Sequence, residues 1–97
     1  MKEFSSRDIK NSLAKRHGDD IYVEELGHVI GTYVRIDSWA MSRGTNLIIG
    51  YEIKVDKRDF LNDGKWHLYK KMCNELYFVC PWGLILPEEL PEDTGLI

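Results

Sequence analysis

The run Leu76-Tyr77-Phe78-Val79-Cys80, closed by Pro81, constrains this chain more than any other feature. A continuous apolar run without alternation describes a strand buried on both faces. Such a strand needs cover above and below, so the expected architecture is a sheet flanked by helices. The 97 residues leave room for one domain spanning 1–97. With 43% hydrophobic and 30% charged residues, the composition is that of a globular chain and excludes disorder. No apolar stretch approaches the roughly 18–20 residues that span a bilayer. The start, MKEFSSRDIK, lacks the apolar core of a signal peptide, so the expected location is the cytoplasm, with no membrane partner.

Ser5-Ser6-Arg7-Asp8 fits a capping box, and Ile9 and Leu13 share a face before Gly18, which predicts a helix over 6–17. Ile21–Glu25 is a short stretch rich in β-formers, which Gly27 and Gly31 punctuate. Residues 32–40 and 47–55 read as two more strands around the turn cluster Ser42–Asn46, giving an antiparallel meander. Asp56 caps a second helical region, expected as a short helix over 57–62 and a longer one over 65–74. Pro87 and Pro91 then punctuate surface loops with one helical turn, and Gly95-Leu96-Ile97 looks like the start of a further strand. The order is αβββαβ on a mixed sheet, an α/β fold.

The net charge is −3, but the charges segregate. Residues 1–18 carry five basic and two acidic side chains, residues 54–72 six and three, and the chain from Glu75 onward five acids and no base. A partly basic face beside an acidic tail is compatible with a nucleic-acid partner and does not require one. Cys73 and Cys80 fit a helix and a strand end as small apolar residues, so free thiols are expected.

Three charges interrupt the strands. Glu52 and Lys54 are two apart and share a face, while Ile53 points to the other. Asp37 interrupts the preceding strand between Ile36 and Ser38. If these strands are neighbours, Asp37 and Glu52 meet at one end of the sheet. Carboxylates placed so can hold a hard cation such as Mg²⁺. From spacing alone, an Asp–Lys or Glu–Lys ion pair on a solvated face, worth about 0–1 kcal/mol, is the commoner arrangement and the favoured reading.

In this order of elements, Asp37 followed by Glu52-Ile53-Lys54 resembles the PD-(D/E)XK nuclease superfamily. The stretch Gly50–Val55, then Asp59-Phe60-Leu61, Asp63, Lys65-Trp66 and Tyr69, is similar to the MmcB-like DNA repair proteins. So are Phe78-Val79-Cys80-Pro81, Leu90-Pro91 and Gly95-Leu96-Ile97. The resemblance covers about residues 20–97, and its relatives continue into another strand. It implies a restriction-endonuclease-like αβββαβ core. It implies a metal-dependent endonuclease of DNA repair or recombination, using Mg²⁺ or Mn²⁺. Asp37 and Glu52 would bind the metal with the Ile53 carbonyl, and Lys54 would be the catalytic lysine. An assisting acid would come from Glu24 or Glu25, with Glu25 the narrower choice. Read from the residues themselves, DNA would meet Lys57, Arg58, Lys65, Trp66 and Tyr69, with Lys65 and Tyr69 reaching a phosphate and Trp66 stacking on a base. Asp59, Asp63 and Trp66 equally fit helix starts and packing, and Trp39 fits packing or a wall of the site. Many relatives cut two strands as homodimers. The alternative is a nuclease-like module that binds DNA or a protein without catalysis.

Overall fold

The computed structural model describes residues 5–30, 32–62, 64, 66–91 and 94–97, with backbone alone at 28–30 and 32–34. Asp63, Lys65 and Gly31 of the sequence reading lie outside the described residues. Helix α1 (Ser6–His17) starts where the capping box predicts: the Ser5 hydroxyl accepts from the Asp8 N–H, and the Asp8 carboxylate accepts from the Ser5 N–H. Strands β1 (Ile21–Ile30), β2 (Thr32–Met41) and β3 (Ile48–Ile53) follow. Next come α2 (Lys57–Leu61), α3 (Trp66–Tyr69) and a 3₁₀ turn (Lys70–Met72), then β4 (Glu75–Val79), a second 3₁₀ turn (Pro87–Glu89) and β5 (Thr94–Leu96).

The five strands form one mixed sheet in the order β1-β2-β3-β4-β5. The β1–β2 and β2–β3 pairs are antiparallel, and β3–β4 and β4–β5 are parallel. The α2–α3 segment is the crossover that a parallel β3–β4 pair requires. Two expectations need correction. The first strand runs ten residues, through Gly27, because its backbone pairs with β2 along almost its whole length. The helix expected over 65–74 is a single α turn followed by a 3₁₀ turn.

Strand β4 is covered on both faces, as its apolar run demands. Tyr77 and Val79 pack with Leu13 of α1, Tyr51 and Ile53. On the other face, Leu76 packs with Ile36 and Tyr69, and Phe78 with Phe60 and Ile85. Helix α1 is also tied by polar bonds: the buried His17 places Nε2 2.7 Å from the Tyr51 hydroxyl and Nδ1 3.1 Å from Asp20 Oδ2. Cys73 and Cys80 are free thiols, both half-buried, and burial pushes the Cys73 thiol up to about 11.

Strands β1 and β2 change faces together midway. Tyr22 packs toward α1, and its hydroxyl lies 2.9 Å from Ser38 Oγ, whereas Leu26 and Ile36 pack on the opposite face. Regular alternation would put residues 22 and 26, and 36 and 38, on one face. Glu25 and Asp37 sit between the pairs Glu24↔Ser38 and Leu26↔Ile36, so the inversion falls at these two acids. Glu25 takes φ 55°, a left-handed conformation that costs a non-glycine residue about 1–3 kcal/mol.

Gly50, on the face opposite α1, makes the closure over β3 possible. A Cβ there would lie 2.5 Å from Ile36 Cδ1 and 2.8 Å from Cys73 Sγ. Replacing a strand glycine by alanine is usually neutral or favourable, because it restricts the unfolded chain. Here Gly50→Ala should destabilise by about 1–3 kcal/mol through overpacking. Urea unfolding checks this, and an unchanged midpoint would contradict the packing described.

Candidate functional site

The antiparallel ladder between β2 and β3 ends at Ser38↔Tyr51. Beyond that point two carboxylates replace ladder carbonyls as acceptors. Glu52 Oε1 accepts the Asp37 N–H at 3.0 Å, and Asp37 Oδ2 accepts the Ile53 N–H at 2.8 Å. Each acid is held by the backbone beside the other, so the pair is fixed by the covalent frame of both strands. Glu52 is 3% exposed, and Lys54 Nζ lies 3.7 Å from Glu52 Oε2. A buried carboxylate is costly unless it is bonded and paired, and Glu52 is both. This ion pair is therefore not a solvated surface bridge.

Asp37, Glu52, Ile53 and Lys54 line a cleft of about 450 Å³. Asp59, Asn62, Gly64 and Tyr69 line it from the crossover, and Arg35 from β2. Arg35, Asn62 and Gly64 lie outside the set of site residues to which the sequence pattern points. Tyr69 is buried, and its carbonyl accepts the Cys73 thiol at 3.3 Å.

The other expected residues are placed as follows. Glu25 is half-exposed and does not line the cleft; its carboxylate lies 3.6 Å from Nζ of the buried Lys10 in α1. Glu24 also turns to α1, where Arg7 donates to it at 2.9 Å and holds its carboxyl below the usual range. Lys57 is bound by the C-terminal segment: Nζ donates to the Leu84 carbonyl at 3.1 Å and pairs with the Glu89 carboxylate. That pairing lowers the Glu89 pKa, with the Leu86 N–H assisting. Arg58 is exposed on α2. Trp66 is half-buried and packs against both clusters on the cleft face, with Lys70 Nζ 5.7 Å from its ring centroid. Trp39 packs in the Ile36 cluster and donates Nε1–H to the Met72 carbonyl at 3.1 Å. Asp56 caps α2 by accepting the Arg58 N–H, while Asp59 reaches the cleft.

These features define a mixed α/β protein whose five-stranded sheet carries an interlocked carboxylate pair where antiparallel pairing gives way to parallel. A family model described as "DNA repair protein MmcB-like" matches residues 8–97, and the chain belongs to the MmcB-like family. Among solved structures it is similar to a protein of unknown function from Silicibacter pomeroyi, at 28% identity and a TM-score of 0.66. That similarity covers 86% of this chain and 53% of the other, so the chain spans about half the length of that protein. No curated protein matches the chain. No helix among the described residues is long and apolar enough to cross a membrane.

The placement of Lys57 separates it from its neighbour. Lys57→Ala should lower the thermal midpoint more than Arg58→Ala, because only the former releases the 84–89 segment from α2. Thermal unfolding followed by circular dichroism checks the order, and equal midpoints would contradict it.

Proposed function

We propose that the cleft hydrolyses phosphodiester bonds of DNA, in repair or recombination, with Asp37, Glu52 and Lys54 as its core. The observation that carries this reading is the backbone-interlocked pair of carboxylates with Lys54 beside them. The donor set suits a hard divalent cation, Mg²⁺ or Mn²⁺. Asp37 and Glu52 are oxygen ligands, and Asp37 Oδ1 takes no hydrogen bond among the described residues. The described residues hold no cluster of three or more His, Cys, Asp or Glu side chains fit for a metal. Two carboxylates suffice for Mg²⁺, which keeps several of its waters, and the Ile53 carbonyl is the remaining candidate ligand. When bound, such an ion supplies charge neutralisation at the phosphate and a more acidic water.

The chain's own residues do the rest. Asp37 and Glu52 stay fixed because each is bonded to main chain, so little reorganisation accompanies the reaction. Lys54 orients the attacking water and offsets charge on the phosphate oxygens. The water oxygen bonds to phosphorus, one P–O ester bond breaks, and the proton passes to solvent while the leaving oxygen is protonated. The products are a phosphate monoester and a free hydroxyl. Cutting both strands of a duplex needs two such sites, which a homodimer would supply. Support for DNA as the substrate comes from the family's description as DNA repair proteins and from the basic excess over residues 54–72.

The test is a cleavage assay with Mg²⁺ or Mn²⁺ on supercoiled, linear, single-stranded and branched DNA. Glu52→Gln keeps an acceptor for the Asp37 N–H, so it separates chemistry from folding. It should lower the rate on the order of 100-fold or more. Cutting by the variant at the wild-type rate would remove Glu52 from the site. A folded wild-type protein that cuts nothing would favour a module that only binds DNA or a protein partner.

A further inference from the structure

The β1–β2 hairpin overhangs the end of β3. The β2–β3 ladder stops at Ser38↔Tyr51, while the β1–β2 ladder continues from Leu26↔Ile36 to Ile30↔Thr32. Arg35 stands at the base of this overhang. It lines the same cleft as Lys54, which follows the end of β3. Its partner across the hairpin is Gly27, which offers no side chain to hold it. Arg35 is exposed, lines the same cleft as Asp37 and Glu52, and makes no ion pair or side-chain hydrogen bond among the described residues.

Electrostatics gives this arginine a task. The cleft holds three acids, Asp37, Glu52 and Asp59, and Lys54 already lies against Glu52. A DNA phosphate entering such a cleft meets a negative wall unless a further cation receives it. Among the described lining residues, Arg35 is the cation other than Lys54. A guanidinium presents parallel N–H donors that match two phosphate oxygens, which an ammonium cannot do. We infer that Arg35 grips the non-bridging oxygens of the phosphodiester being cleaved, alongside Lys54, and stabilises the charge that develops there. This inference rests on the nuclease reading above.

The experiment compares the whole chain with Arg35→Ala and Arg35→Lys, each first shown to be folded by circular dichroism. In Mn²⁺-dependent cleavage of a labelled duplex, Arg35→Ala should lower kcat on the order of 100-fold and change KM much less. Arg35→Lys should recover part of the loss, because charge returns without the fork. If wild type cuts and Arg35→Ala retains kcat within about twofold, the inference is overturned while the nuclease reading stands. If wild type does not cut, the nuclease reading falls, and the contact is decided by fluorescence anisotropy with the same duplex. The slope of log Kd against log salt should then fall by about one phosphate contact in Arg35→Ala. An unchanged slope overturns the inference.

Discussion

Two hydrogen bonds, Glu52 Oε1 from the Asp37 N–H and Asp37 Oδ2 from the Ile53 N–H, hold β2 to β3 beyond the end of their ladder. They satisfy backbone donors that would otherwise be orphaned in a half-buried setting, each at a cost of about 1–3 kcal/mol. They also fix two carboxylates side by side, against their mutual repulsion. The same bonds therefore close the sheet and build the acidic pair. A substitution at either acid acts on the structure as well as on the proposed chemistry, so isosteric amides separate the two better than alanines.

The rest of the fold keeps this junction rigid. Strand β3 lies between an antiparallel and a parallel neighbour, and β4 anchors it with large side chains on both faces. Gly50 lets Ile36 and Cys73 approach β3 on the cleft face, two residues before Glu52. On the opposite face, His17 and Leu13 tie α1 to Tyr51, one residue before Glu52. Glu52 is thus bracketed by two close-packed contacts, and it remains 3% exposed although it is charged.

Much of this was legible in the residues. The unbroken run Leu76–Cys80 fixes a doubly covered strand, and the Ser5–Asp8 box fixes the start of α1, because both signals are local. The shared face of Glu52 and Lys54 follows from strand period, and their 3.7 Å separation agrees with it. The place of Glu25 was not legible: a regular strand would send it and Glu24 to opposite faces, yet both carboxylates meet cations of α1. The cause is the positive φ at Glu25, which no residue type announced. Gly27 misled for a related reason, since glycine interrupts isolated strands but is carried easily by a hairpin paired on almost its whole length. The engagement of Lys57 by Glu89 joins segments 32 residues apart, beyond any local pattern.

The account stands on the Asp37–Glu52 pair as a seat for a divalent cation, and Mn²⁺ binding measured by electron paramagnetic resonance tests it most directly. The wild-type chain should bind Mn²⁺, with Mg²⁺ competing, and Asp37→Asn should lose that binding while remaining folded. A folded wild-type protein that leaves all Mn²⁺ free, or an Asp37→Asn variant that binds as tightly as wild type, would contradict the central claim.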